Sequence, residues 1–192
     1  MQAQKLQFNN KDTEGTVQLN WRTSDPSKSP SHARFPGVLD LQGSLSRADA
    51  LRVQRYLPLL LAPTLRSYLT SAIQQGSLSA VKFKLKGDLH NLPFSDAKQG
   101  EFHVSAQVKN AQFSYVPATL GTTTNTSADW PALTQLGGEL VFEQRSMQVR
   151  GASGKFVGYP GLQLTRADVL ISDLAQAVVQ VTAEAKGPTT EA

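Results

Sequence analysis

Few residues in this chain of 192 residues could carry acid–base or metal chemistry. The chain has no cysteine and three histidines, which are His32, His90 and His103. Catalysis and metal binding require such groups to converge, whereas these lie in a loop, at a strand end and inside a strand. Asp88 and His90 could share one strand face, but a solvated strand end explains them better. We predict no catalytic residue, no metal site and no enzymatic activity.

Glycine and lysine patterns also have a functional and a structural interpretation. The glycines at 137–138 and 151–161 lack the spacing of a phosphate-binding loop, so we interpret them as turns and predict no cofactor. Lys82, Lys84 and Lys86 alternate along one strand face, where they could meet lipid phosphates or an RNA backbone. The alternative is a solvated face that deters edge pairing. Phe83 lies on the opposite face, and the net charge of +4 is dispersed, so we predict no nucleic-acid partner.

Apolar residues at two-residue spacing are the main candidates for a binding surface. On the residues alone a closed core is favoured, because apolar side chains are usually inside. The other interpretation is an open groove whose wall contacts lipid. The residues that are either lipid-facing or core are Val81, Phe83, Leu85, Phe102, Val104, Val108, Phe113 and Tyr115.

The elements that position these residues are predicted to be mainly β-strands. Val17, Leu19 and Trp21 alternate with polar residues, the same pattern dominates from residue 78 onward, and glycines punctuate it at strand-length intervals. Lys109-Asn110 interrupts the alternation as a turn or bulge. We predict a mainly β (α+β) fold, a long antiparallel meander sheet that is curved and able to form a groove.

One short helical hairpin is predicted at residues 46–75. Residues 46–49 have the spacing of a capping box, which predicts a helix over 47–57 that ends before Pro58. A second helix is predicted over 63–75, with Leu65, Leu69 and Ile73 on one stripe. This stripe must be buried, so we expect the hairpin to cap the apolar face or the edge of the sheet.

Two segments without periodicity are predicted to be flexible loops. Residues 23–34 are rich in serine and proline, and residues 120–129 are rich in threonine. We predict no membrane span and no signal peptide in residues 1–192, because the sequence has no apolar run of sufficient length and no charged, apolar and small-residue pattern at its start. We interpret residues 1–192 as one fragment of a longer β domain.

Short segments of the chain follow the order found in one known family. The chain resembles, over residues 36–187, the AsmA-like family of bacterial envelope proteins, specifically its YhdP-type members. The segments that carry this resemblance are RYLP at 55–58, LRSYL at 65–69, VKFKLKGDL at 81–89, LPF at 92–94, GEF at 100–102, WPAL at 130–133 and GELVF at 138–142.

The resemblance implies a function in lipid transport. Members of this family have an inner-membrane anchor and a long periplasmic stack of strands, curved into a trough with an apolar concave face. The implied function is movement of phospholipid between the inner and outer membranes, which supports the outer-membrane permeability barrier. The expected partners are phospholipid, the rest of the same long chain and other envelope proteins. The alternative is a non-catalytic structural or protein-interaction module of an envelope assembly.

Overall fold

The protein forms a single antiparallel sheet whose strands follow one another in sequence order. The computed structural model describes residues 2–29, 32–55, 70–114, 131–176 and 178–188. Within these ranges a nine-stranded meander is observed, with β1 and β9 at its two edges, and this confirms the predicted fold class. The strands are β1 (Gln2–Asn9), β2 (Thr13–Arg22), β3 (Val38–Asp49), β4 (Ile73–Asp88), β5 (Gly100–Phe113), β6 (Leu133–Glu143), β7 (Ser146–Phe156), β8 (Tyr159–Ile171) and β9 (Val179–Lys186).

Bulges interrupt the strand pairing of β1, β4, β5, β6 and β7. The register shifts between β2 and β3 and between β8 and β9 have a different form. At one bulge in each of the five strands named above, a three-residue step faces a two-residue step on the neighbouring strand. Each of these steps contains a residue in the left-handed region. These residues are Lys5 (φ 48°), Ala80 (φ 49°), Asn110 (φ 51°), Gln135 (φ 52°) and Gly151 (φ 56°). A bulge bends its strand and increases the local twist.

The bulges keep apolar side chains on one face of the sheet. In β5, Val108 stands opposite Gly138, and after the bulge Ala111 stands opposite Leu136. Strict alternation would have turned Ala111 to the other face, because side chains in a strand change sides at every residue. The bulge predicted at Lys109-Asn110 is therefore confirmed.

An aspartate on β8 satisfies the backbone at the β7 bulge. The N–H of Gly151 donates a hydrogen bond to Asp168 Oδ1 at 2.8 Å. This bond, followed by the hydrogen bond from Arg166, lowers the pKa of Asp168 below the usual 3.8 of the group. The N–H of Gly151, which does not take part in the strand pairing, therefore still has a hydrogen-bond acceptor.

A cluster of buried apolar residues lies on β6, β7 and β8. It consists of Leu133, Ala152, Leu164 and Ala167, all buried. Ala152 and Ala167 stand directly opposite each other across the β7–β8 pair. Their small side chains allow the neighbouring strands and the partly buried Phe156 to approach closely. Packing in this part of the sheet thus resembles a conventional core.

The first helix of the predicted hairpin is shorter than expected. Residues 46–49 belong to β3, and a 3-10 helix at Ala50–Arg55 follows them. Asp49 Oδ1 accepts a hydrogen bond from the N–H of Leu51 at 2.9 Å, so Asp49 begins the helix in place of Ser46. The prediction was wrong at this boundary because β3 pairs with β4 through to Asp49, opposite Ser77. Strand pairing with a distant segment overrides the local capping signal.

The second predicted helix is only partly described by the structure. Leu65 and Leu69 lie outside the described residues, whereas residues 70–72 are helical. Ile73 begins β4 and stands opposite Phe113 on β5. Placing Ile73 on a capping helix was therefore wrong, because it pairs within the sheet and shares a face with Phe113.

The loop between β2 and β3 is attached to the end of β4 through Asp88. The hydroxyls of Ser24 and Ser29 donate to Asp88 Oδ2 at 2.8 and 3.0 Å, and the N–H of His90 donates to Oδ1 at 3.0 Å. Both serines are buried. The predicted flexibility of residues 23–34 remains a prediction, to which the structure adds these two contact points, and residues 120–129 lie outside the described ranges.

These contacts determine the charge state of Asp88. Burial raises the pKa of this carboxyl, but the hydrogen bonds from the His90 N–H, Ser24 and Ser29 together outweigh it. The pKa of Asp88 therefore lies below the usual 3.8. Because the folded state favours the ionised form, the stabilisation is present above the unfolded pKa and is lost as the pH falls through the folded pKa.

The substitution Ala80→Gly is expected to stabilise the protein. Ala80 is exposed and has φ 49°, and glycine avoids the cost of about 1 kcal/mol that the left-handed conformation imposes on alanine. The matched control is Ala106→Gly in β5, which is buried and is expected to destabilise by about 1 kcal/mol or more. Urea unfolding measures both. Equal destabilisation by the two substitutions would contradict the role of residue 80 in the bulge.

The substitution Asp88→Asn is expected to lower the free energy of unfolding at pH 7 by about 1–2 kcal/mol, because charged hydrogen bonds are lost. The difference between the variant and the parent should shrink as the pH falls below about 4. Urea unfolding at pH 7, 4 and 3 checks both effects. Asp96→Asn, at an exposed site in the next loop, is the control. A difference for Asp88→Asn that does not depend on pH would count against the ionised carboxyl as the source.

Candidate functional site

One row of cross-strand neighbours is apolar from one edge of the sheet to the other. Directly paired residues lie on the same face, so the register identifies the row without ambiguity. The row crosses all nine strands. Its members, in strand order, are Leu6, Val17, Gly43, Phe83, Val104, Phe142, Met147, Ile171 and Val179.

The predicted lipid-facing or core residues that the structure describes lie on this same face, which we call the apolar face. Leu85 and Phe102 form the next pair in β4 and β5, and Val108 pairs with Leu78. Tyr115 lies outside the described residues. Val81 is buried. The other predicted residues that the structure describes are only half-buried, and they are Phe83, Leu85, Phe102, Val104, Val108 and Phe113.

The sequence interpretation stopped short of the second half of this face. Phe142 and Met147 continue the row on β6 and β7, and Ile171 continues it on β8. The same alternation that identified β4 and β5 is present at Leu140 and Phe142. That signal could have extended the candidate surface across β6.

Phe83 lies flat on the apolar face because glycine is its cross-strand partner. Gly43 stands opposite Phe83, and a Cβ at Gly43 would lie 2.5 Å from Phe83 Cζ. Any larger residue at position 43 would push the ring away from the sheet. In the middle of the row, the ring of Phe83 therefore lies over the backbone of β3. As a result, the side chain protrudes little from the sheet at this point.

Aromatic side chains close one end of the apolar face, and the sequence did not reveal their role. Phe94, in the connection between β4 and β5, is fully buried. Its ring lies on Gly87 and Gly100, where added Cβ atoms would be 2.7 and 2.6 Å away. In the neighbouring loop Phe35 stacks on Trp21 with ring centroids 6.1 Å apart. Both arrangements depend on loop conformations, which alternation does not predict.

The opposite face of the sheet is polar and has ion pairs between adjacent strands. Lys84 Nζ lies 2.7 Å from Glu101 Oε2, and Arg150 Nη1 lies 3.5 Å from Glu139 Oε2. Glu101 raises the pKa of Lys84 through its hydrogen bond to the ammonium group. These side chains are well exposed, so each pair contributes little to stability. The sheet is thus amphipathic, with its charges on one side.

The residues considered for acid–base or metal chemistry are not brought together. His32 Nδ1 contacts the carbonyl of Pro26, and His103 pairs with Glu143 on the polar face. His90 lies in the short helical turn after β4. No group of three or more potential ligands among His, Cys, Asp and Glu forms a metal site within the described ranges. None of the described helices has the length and apolar composition needed to cross a membrane.

Comparison with known proteins identifies the family. A family model described as YhdP protein matches residues 1–192. Neither the curated proteins nor the solved structures include a significant match to the chain. The match covers the whole sequence, including the apolar face and both edges of the sheet. The chain belongs to the YhdP protein family.

Proposed function

We propose that this chain is a lipid-conducting segment of a bacterial envelope protein. Acyl chains lie along the apolar face while the headgroups remain in water. The full-length protein moves phospholipid between the inner and outer membranes and so supports the outer-membrane permeability barrier. The observation that carries this proposal is the apolar row from Leu6 to Val179, which crosses every strand of an open sheet.

The dimensions of the apolar face suit an acyl chain lying across the strands. Nine strands have eight gaps of about 4.8 Å, so the row is about 38 Å long. One leaflet contributes about 15 Å to a hydrocarbon core of about 30 Å. An acyl chain thus fits lengthwise within the row. Half-buried side chains such as Phe83 and Val104 would lose further water contact under it, at about 25 cal/mol per Å² of apolar surface.

Membership of the family is consistent with an envelope protein, and we propose a periplasmic location with an inner-membrane anchor in the full-length protein.

Further strands of the longer chain are the proposed partners of the sheet edges. Support comes from β9, whose residues are exposed throughout, with Val179 and Val181 exposed by 54% and 61%. An edge with unpaired backbone groups and exposed valines is suited to pairing with another strand. Other envelope proteins are the further partners that we propose.

The buried cluster on β6, β7 and β8 favours a second candidate function. There Leu133, Ala152, Leu164 and Ala167 are packed as in a closed core. If the whole apolar face became covered in this way in the full-length protein, the chain would be a non-catalytic structural or protein-interaction module. The two candidates differ in whether Phe83 and Val104 contact lipid or protein. Under both, the chain itself catalyses no reaction.

The substitution Val104→Asp distinguishes the two functions, and Phe83→Asp repeats the test on β4. On an open face the new carboxylate stays hydrated, so the chain should remain folded and lose bound lipid. In a closed core the buried carboxylate should cost several kcal/mol, a large part of the ~5–15 kcal/mol stability of a domain. Urea unfolding measures stability. Native mass spectrometry of the protein, purified from bacterial membranes in mild detergent, measures retained phospholipid.

Gln107→Asp is the matched control, because it adds the same charge to an exposed position on the polar side of the same strand. This variant should retain lipid and stability. In cells, the full-length protein with Val104→Asp should fail to restore the outer-membrane barrier, whereas the control should restore it. A folded Val104→Asp protein that retains lipid as well as the parent would refute lipid contact at this row.

A further inference from the structure

Lys82 stands in a row of hydroxyl side chains on the polar face. Its direct cross-strand neighbours are Ser44 on β3 and Ser105 on β5. Thr16 on β2 stands opposite Ser44, with the two hydroxyl oxygens 3.4 Å apart. Each hydroxyl can donate one hydrogen bond, and the lysine ammonium can donate three. The row therefore combines several donors with one positive charge.

The other lysines of β4 have acidic neighbours. Lys86 stands between Asp40 and Glu101, with its Nζ 3.7 Å from Asp40 Oδ2. Lys84 is paired with Glu101 at 2.7 Å. Lys82 forms no ion pair within the described part of the chain. Its positive charge is therefore available to a ligand. The charges of Lys84 and Lys86 are already paired with carboxylates.

A hollow of about 470 Å³ lies over this row. The hollow is open to solvent, so it would contact a ligand on one side. Its ionisable residues are three lysines and one histidine, and no carboxylate residue lines it. Val17, Gly43 and Phe83 of the apolar row line the hollow together with polar residues that include Lys5, Thr16, Ser44 and Lys82.

A second cation reaches the hollow from the edge strand. Lys5 is the bulge residue of β1, and it also lacks an ion pair among the residues that the structure describes. Two unpaired ammonium groups and two hydroxyls thus border one depression. Oxyanions accept hydrogen bonds on several oxygens, and charge-assisted bonds from ammonium groups are stronger than neutral ones.

We propose that this hollow binds a phosphate group, with Lys82 and Lys5 supplying the charge and Ser44 and Thr16 donating hydrogen bonds. The preferred ligand is a phosphate ester, because apolar as well as polar residues line the hollow. Two sources carry this chemistry, a soluble ester and the headgroup of an anionic lipid at a membrane surface. The side chains of Lys82, Ser44 and Thr16 lie on the polar face, and the proposal does not require lipid transport along the apolar row.

The test uses the 192-residue chain and three probes. Inorganic phosphate and glycerol 3-phosphate are titrated at constant ionic strength while amide chemical shifts are followed by NMR. Vesicles of phosphatidylglycerol are compared with vesicles of phosphatidylcholine by co-sedimentation. Constant ionic strength matters because screening alone changes the interactions of exposed charges.

Lys82→Gln is the test variant and Lys86→Gln is the matched control. Both remove one exposed positive charge from the same face of β4, but only Lys82 lines the hollow. Loss of charge-assisted hydrogen bonds should weaken binding about tenfold in Lys82→Gln. Lys86→Gln should bind within about twofold of the parent, since general electrostatics alone would affect both variants equally.

The outcomes separate the ligand sources. Saturable binding of glycerol 3-phosphate that only Lys82→Gln weakens supports a soluble ester as the ligand. Binding to phosphatidylglycerol vesicles alone, again weakened only by Lys82→Gln, supports the lipid headgroup. Absence of saturable binding to any probe, or equal weakening by the two substitutions, overturns the site. Val104 does not line the hollow, whereas Phe83 does, so Val104→Asp is the variant that tests the proposed lipid path separately from this site.

Discussion

Strict alternation is the constraint on which the two faces of this sheet depend. A single inserted residue in one strand turns every following side chain to the other face. In this sheet the inserted residues instead keep the following apolar side chains on the same face, because they fall within three-residue steps between apolar residues. Examples are the steps from Val108 to Ala111 in β5 and from Leu78 to Val81 in β4. The left-handed residues Asn110 and Ala80 absorb the extra position. The apolar face therefore continues past each bulge.

The strands were predictable from the sequence because their signal is periodic, and the bulges were predictable only in part. Asn110 tolerates the left-handed conformation, so Lys109-Asn110 can be recognised from residue type together with the interrupted alternation. Ala80 and Gln135 have no such preference. At these positions the only signal is the longer step between apolar residues, from Leu78 to Val81 in β4 for example. That step becomes informative once the neighbouring strand and its register are known.

Local and distant interactions compete at the end of β3. Residues 46–49 have a helix-capping pattern, yet Ala48 and Asp49 pair with Leu78 and Ser77, about thirty residues later in the chain. A local pattern cannot report such a partner. A local pattern also cannot distinguish a closed core from an open apolar surface, because apolar and polar residues alternate in the same way in both. Only the relation of the face to the rest of the molecule distinguishes them, and the alternation within a single strand does not contain that relation.

The distribution of small and large residues suits the apolar face to a mobile ligand better than to a fixed protein layer. Protein cores interdigitate, so that large side chains of one layer fill gaps in the other. At the centre of this face Phe83 instead lies down over Gly43, which leaves a low surface without a deep gap to receive a partner's side chain. A hydrocarbon chain requires no such gap, because dispersion and hydrophobic contacts are non-directional. Under the proposed function, a low apolar row would hold an acyl chain at many positions of similar energy, which is the condition for movement along it.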